Sequence, residues 1–180
     1  MKQLGTLMLT LRKQIVLVGL MALAIMTLSS ARGSTSQLNL EEINNLEYPF
    51  ILYSLEKRGR ITEKIKFQNG RIFRTGDYLD ARIKEVVFHD LDNDGTEEAI
   101  VVYHYHHSFL QMVEGMFCVI INKYGHPQIA DFKHFLGGMQ LTVKGNIINV
   151  IVRHISKLPN EVLYKEEFNY SFQGEKLMEK

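Results

Sequence analysis

The sequence predicts an α+β domain that is mainly β: an antiparallel sheet or sandwich with a short N-terminal helix packed on it. Three observations lead there. From Ile61 onward apolar residues recur with a period of two, the repeat of a half-buried strand. Turn residues, among them Asn69-Gly70, Gly125, Gly137-Gly138 and Gly145-Asn146, arrive about every ten residues, the rhythm of antiparallel meanders. A helical period is confined to the stretch from Asn39 to Leu46.

Residues 1–31 are set aside as a signal peptide. Lys2, Arg12 and Lys13 form a positive leader, Ile15 to Met26 is an uncharged apolar run, and Ser29-Ser30-Ala31 offers the small residues of a cleavage site. The run is shorter than the roughly 18–20 residues that span a bilayer, so contact with a membrane is expected only through this segment if it stays uncleaved. Residues 32–38 read as a flexible lead and 39–180 as a single domain. Asn39 is placed to cap a helix with Glu42 three residues on, and Leu40, Ile43 and Leu46 share its apolar face.

Strands follow. Ile61, Ile65 and Phe67 alternate with Thr62, Lys64 and Lys66, and Asn69-Gly70 predicts a tight hairpin into Arg71–Arg74. Further strands are expected at Arg82–His89, Ala99–His106, Met116–Lys123, Ile129–Phe135, Met139–Val143, Ile147–Ile155 and Glu161–Phe172, with Tyr124-Gly125-His126-Pro127 as a turn.

Charge and cysteine content narrow the function classes. Of 21 basic and 20 acidic residues, three basic ones lie in residues 1–31, which leaves 18 against 20 beyond them. A formal charge of −2 disfavours a nucleic-acid partner. The single cysteine, Cys118, lies in an apolar run and reads as a small core hydrophobe. The basic residues between Lys57 and Arg74 are diluted by Glu56 and Glu63 and read as a solvated face.

The stretch with the strongest chemical signal joins two of the strands. Asp90, Asp92 and Asp94 stand at every second position, followed by Gly95, Thr96 and, at the ninth position, Glu98. Calcium takes six to eight oxygens at about 2.3–2.6 Å, and such a loop can offer carboxylates from Asp90, Asp92, Asp94 and Glu98 plus the Thr96 carbonyl. The twelfth position is Val101 rather than the bidentate glutamate of an EF-hand, and the flanks are β-branched. A polar β-turn, with aspartates accepting from backbone donors, is the other reading of the same residues.

The segment from Phe88 to Val102 resembles the calcium loop of FG-GAP and VCBS-type segments. With the strand Gly115–Asn122, the Tyr124-Gly125-His126-Pro127 turn and Leu136-Gly137-Gly138, it is also similar over roughly residues 58–155 to small exported bacterial proteins of mostly unknown function. The resemblance implies an exported single domain with metal ligands at Asp90, Asp92, Asp94 and Glu98. The loop occurs once, which excludes a propeller of repeated blades.

A second concentration of chemistry is Tyr103-His104-Tyr105-His106-His107. On a strand His104 and His106 share a face with Cα atoms about 6.7 Å apart, and with His107 they offer zinc or copper ligands; the other reading, which the lack of a spaced third or fourth ligand favours, is an amphipathic strand end with Tyr103 and Tyr105 packed inward and the histidines solvated. No nucleophile elbow, phosphate loop or His-Glu-x-x-His is present in the sequence. The expected function is therefore a periplasmic or secreted binding or interaction domain, with a structural calcium loop and a protein or cell-envelope partner. A transition-metal protein or metal-dependent hydrolase on His104, His106 and His107 is the alternative.

Overall fold

The computed structural model describes residues 38–54, 56–75, 79–106, 113–155 and 162–180. The expected signal peptide, nearly all of the expected lead, and His107 lie outside them. The described chain is mainly β, in antiparallel sheets, with one short helix.

Helix α1 (Leu40–Asn44) forms where the cap was expected: the Asn39 side chain accepts the Glu42 N–H at 2.9 Å. It is only five residues long. Ile43 is fully buried, while Leu40 turns outward at 54% exposure. Leu38, just before the cap, also lies in the core.

Strands β1 (Glu47–Ser54) and β2 (Gly59–Lys66) pair as a two-stranded ribbon. β3 (Arg71–Arg74), β4 (Leu79–His89), β5 (Glu98–His106), β6 (Val113–Lys123) and β7 (His126–Leu136) form a five-stranded sheet in sequence order. β8 (Gly138–Lys144), β9 (Ile147–Ile155), β10 (Val162–Gln173) and β11 (Lys176–Glu179) form a four-stranded one, again between sequence neighbours.

Alternation along β5 and β6 explains how these pieces stack. Ala99, Val101, Tyr103 and Tyr105 with Met116, Cys118 and Ile120 point to one side, where they meet Tyr48, Phe50 and Leu52 of the ribbon and Ile43 of α1. Ile100, Val102, Phe117 and Val119 point to the other, against Leu141, Ile148, Val150 and Phe172 of the four-stranded sheet. Both faces of the central strands are thus covered, giving three β layers with two cores. That is why β5 runs apolar without alternation from Ala99 to Tyr103.

Two expectations need correction. Asn69 and Gly70 do form the tight turn, with φ of 52° and 72° and paired bonds between Gln68 and Arg71. The hairpin ends at that bridge: β2 goes to β1 and β3 goes to β4. β1 supplies β2 with Tyr48, Phe50 and Leu52 to bury, whereas β3 has only Ile72 buried. The second correction concerns His126-Pro127, which starts β7; the turn is carried by Tyr124 and Gly125, with φ of 56° and 81°.

Candidate metal centre

The acidic loop joins β4 to β5 where His89 and Glu98 face each other across the ladder. Its anchor is apolar. Leu91 is fully buried in the second core, and its N–H donates to Glu98 Oε2 at 2.8 Å. The remaining aspartates wind the backbone: Asp90 accepts from the N–H groups of Asp94 and Gly95 at 3.1 and 3.0 Å, and Asp92 accepts from Asp94 at 3.1 Å. Asn93 and Gly95 take positive φ of 61° and 88°, so the glycine relieves the tighter of the two bends. His89 Nε2 lies 2.7 Å from the Gly145 carbonyl, tying the base of the loop to the β8–β9 turn.

Three of the five expected ligand residues converge. One carboxylate oxygen from each of Asp90, Asp92 and Glu98 lies within 4.8 Å of the others. Asp94 is outside that group, its Oδ1 accepting the Thr96 N–H at 2.7 Å, and Thr96 is half-buried beside it. Hydrogen bonds from the backbone do not exhaust a carboxylate, which offers about four lone-pair sites.

The electrostatics of this cluster are unfavourable without a counter-charge. Glu98 is 4% exposed, and burial pushes its carboxyl up to about 7; the Leu91 N–H opposes the shift, while the charges of Asp92, Asp94 and Asp90 add to it. A hard dication held by the three oxygens would relieve both the repulsion and the desolvation. The donor set, all oxygen, suits calcium or magnesium rather than a soft metal.

The histidine strand behaves differently. His104 and His106 lie on the same face of β5, which continues the face of Ile100 and Val102. Their neighbours lining a cleft of about 300 Å³ are Asp80, Arg82, Lys84 and Val113. His104 is held below the ordinary imidazole value by burial and by the Lys84 charge. Among the described residues, no third metal-ligating side chain groups with these two.

One buried polar cluster had no motif to announce it. Glu114, 1% exposed on β6, is bonded through Oε2 to His134 of β7, and the Tyr105 hydroxyl lies 3.0 Å from the same oxygen. That hydroxyl also lies 2.9 Å from the Ile51 carbonyl, so its one proton is shared between two acceptors. The only signal in the sequence is an acid inside an apolar run. Cys118 is fully buried beside the Tyr103 hydroxyl at 3.7 Å, and burial pushes its thiol up to about 12, which makes it an inert core residue.

Compared with protein-family models, curated proteins and solved structures, the chain matches none of them.

Proposed function

We propose that the chain is an exported binding or interaction domain whose β4–β5 loop takes a structural calcium ion on Asp90, Asp92 and Glu98. The observation that carries the metal reading is the approach of three carboxylate oxygens to within 4.8 Å of one another around a nearly buried glutamate. Export rests on the leader pattern of residues 1–31, and the resemblance of the loop to FG-GAP and VCBS-type segments agrees with both.

The ion's role would be mechanical. It would fix the connection between β4 and β5, whose first residues enter both cores, and neutralise carboxylates that otherwise repel. Affinity of the order of 10⁻⁴ to 10⁻³ M fits an extracellular module.

Thermal melting of residues 32–180 with calcium and with a chelator tests the proposal. Calcium at about one hundred times its Kd should stabilise by about 2.7 kcal/mol, raising Tm by about 8 °C. Asp92→Ala should abolish that rise. No rise in the wild type, or an equal rise in the variant, refutes the site. A rise with zinc instead, lost in His104→Ala, would transfer the metal to the histidine strand.

A further inference from the structure

The second core ends abruptly along β5, and what lies past its end is charged. Ile100 and Val102 are covered by the four-stranded sheet, but the cover stops at Met139 on β8, whose N–H meets His104 Nε2 at 3.4 Å. Beyond that contact the same face carries His104 and His106, with Arg82 paired across the ladder from His104 and Asp80 from His106. A register shift between Ile83 and Glu85 leaves Lys84 out of the ladder, and its side chain joins the cleft.

Among the described residues the charges lining this cleft do not cancel. Both oxygens of Asp80 are engaged by Arg71, at 3.3 Å from Nε and 3.3 Å from the second guanidinium nitrogen. Among the described residues Arg82 makes one longer contact, 3.8 Å to the same carboxylate, so its fork keeps donors for another partner. Because the Met139 N–H donates to Nε2, neutral His104 carries its ring proton on Nδ1 and remains a donor there. Arg82, Lys84 and two imidazoles around about 300 Å³ are the wrong set for a cation.

We propose that this cleft, walled by β4 and β5 beyond the edge of the second sheet, binds a phosphate-sized oxyanion, with Arg82 and Lys84 supplying charge and His104 and His106 supplying ring N–H donors. A guanidinium fork and an ammonium beside it match the geometry of a phosphate monoester. The site is independent of the calcium loop, which lies at the opposite end of the β4–β5 ladder.

The test uses residues 32–180 and two sources of the same chemistry. Inorganic phosphate is titrated by calorimetry, with the imidazole resonances of His104 and His106 followed by NMR; phosphatidylcholine vesicles containing phosphatidic acid are titrated in parallel. Both long cations are exposed, so Arg82→Gln with Lys84→Gln should leave Tm unchanged. Phosphate binding that shifts both imidazoles and weakens about tenfold or more in the double variant supports a free phosphate ligand. Binding to the vesicles alone, lost in the double variant, supports a lipid phosphate. Binding of neither, or binding that the double variant retains, overturns the proposal.

Discussion

A carboxylate removed from water persists only with partners, and Glu114 has two, His134 and Tyr105. Glu114→Ala removes the carboxylate partner of half-buried His134 and leaves the Tyr105 hydroxyl with the Ile51 carbonyl alone, so urea denaturation should show a loss of about 2 kcal/mol; a loss below about 0.5 kcal/mol would mean that the cluster is not a stabilising unit. His104 makes a different kind of prediction, because its environment favours the neutral ring. Burial, Lys84 and His106 lower its pKa; Arg82 and Asp80 flank it on β4. The folded state then binds fewer protons than the unfolded chain just below the ordinary histidine value of about 6.5. This contribution to stability is complete above that value and is lost as pH falls through the lowered folded pKa. Urea midpoints at pH 7.5 and 5 (about one unit above and somewhat more below) should therefore differ more in the wild type than in His104→Asn. Equal differences would show that the ring carries no such linkage.

At the scale of elements, the passage from one sheet to the next depends on Gly137. It sits between β7 and β8 with φ of 137°, and a Cβ there would stand 2.7 Å from the Arg153 carbonyl oxygen. Gly137→Ala therefore combines backbone strain with a collision against backbone, and should cost about 3 kcal/mol in chemical denaturation; a cost within about 0.5 kcal/mol would show that the crossover can relax. The glycine pair itself was legible as an interruption of strand pattern, but which sheets it separates was not, because pairing depends on distant residues. The same division runs through the chain. Asn69-Gly70 announced its turn correctly, yet β2 chose β1 because burial of Tyr48 and Phe50 outweighed a neighbour with one buried residue. β1 went unread since Tyr48, Pro49 and Phe50 are buried in succession, which breaks the alternation, and proline suggested a terminus. Pro49 is tolerated there because β1 pairs on one side only, with β2. In the loop, spacing in the sequence indicated Asp90, Asp92 and Glu98. It could not separate Asp94, whose carboxylate is diverted to the Thr96 N–H.

For the whole molecule, the consequence of stacking three β layers is uneven stability. β5 and β6 are paired on both edges and covered on both faces, whereas the β1–β2 ribbon is covered on one face and β1 has a single neighbour. Amide hydrogen exchange should accordingly be slowest at Ile100–Val102 and Phe117–Val119 and at least about tenfold faster in β1. Equal protection in the two regions would mean that the layers open together. Attachment of the ribbon has a chemical character of its own: the Tyr103 hydroxyl donates to the Pro49 carbonyl, and Tyr48 packs edge-on to Phe67 and Tyr103 with centroids 5.1 and 5.6 Å apart. Burial raises the phenols of Tyr48, Tyr103 and Tyr105 above their ordinary value, while Tyr124 is 91% exposed. The chain has eight tyrosines and no tryptophan, so its near-ultraviolet spectrum belongs to phenols. Alkali thus meets, in Tyr48, Tyr103 and Tyr105, phenols that yield their protons only as the ribbon lifts, making the protein's own ultraviolet absorbance a gauge of whether its outer layer is seated.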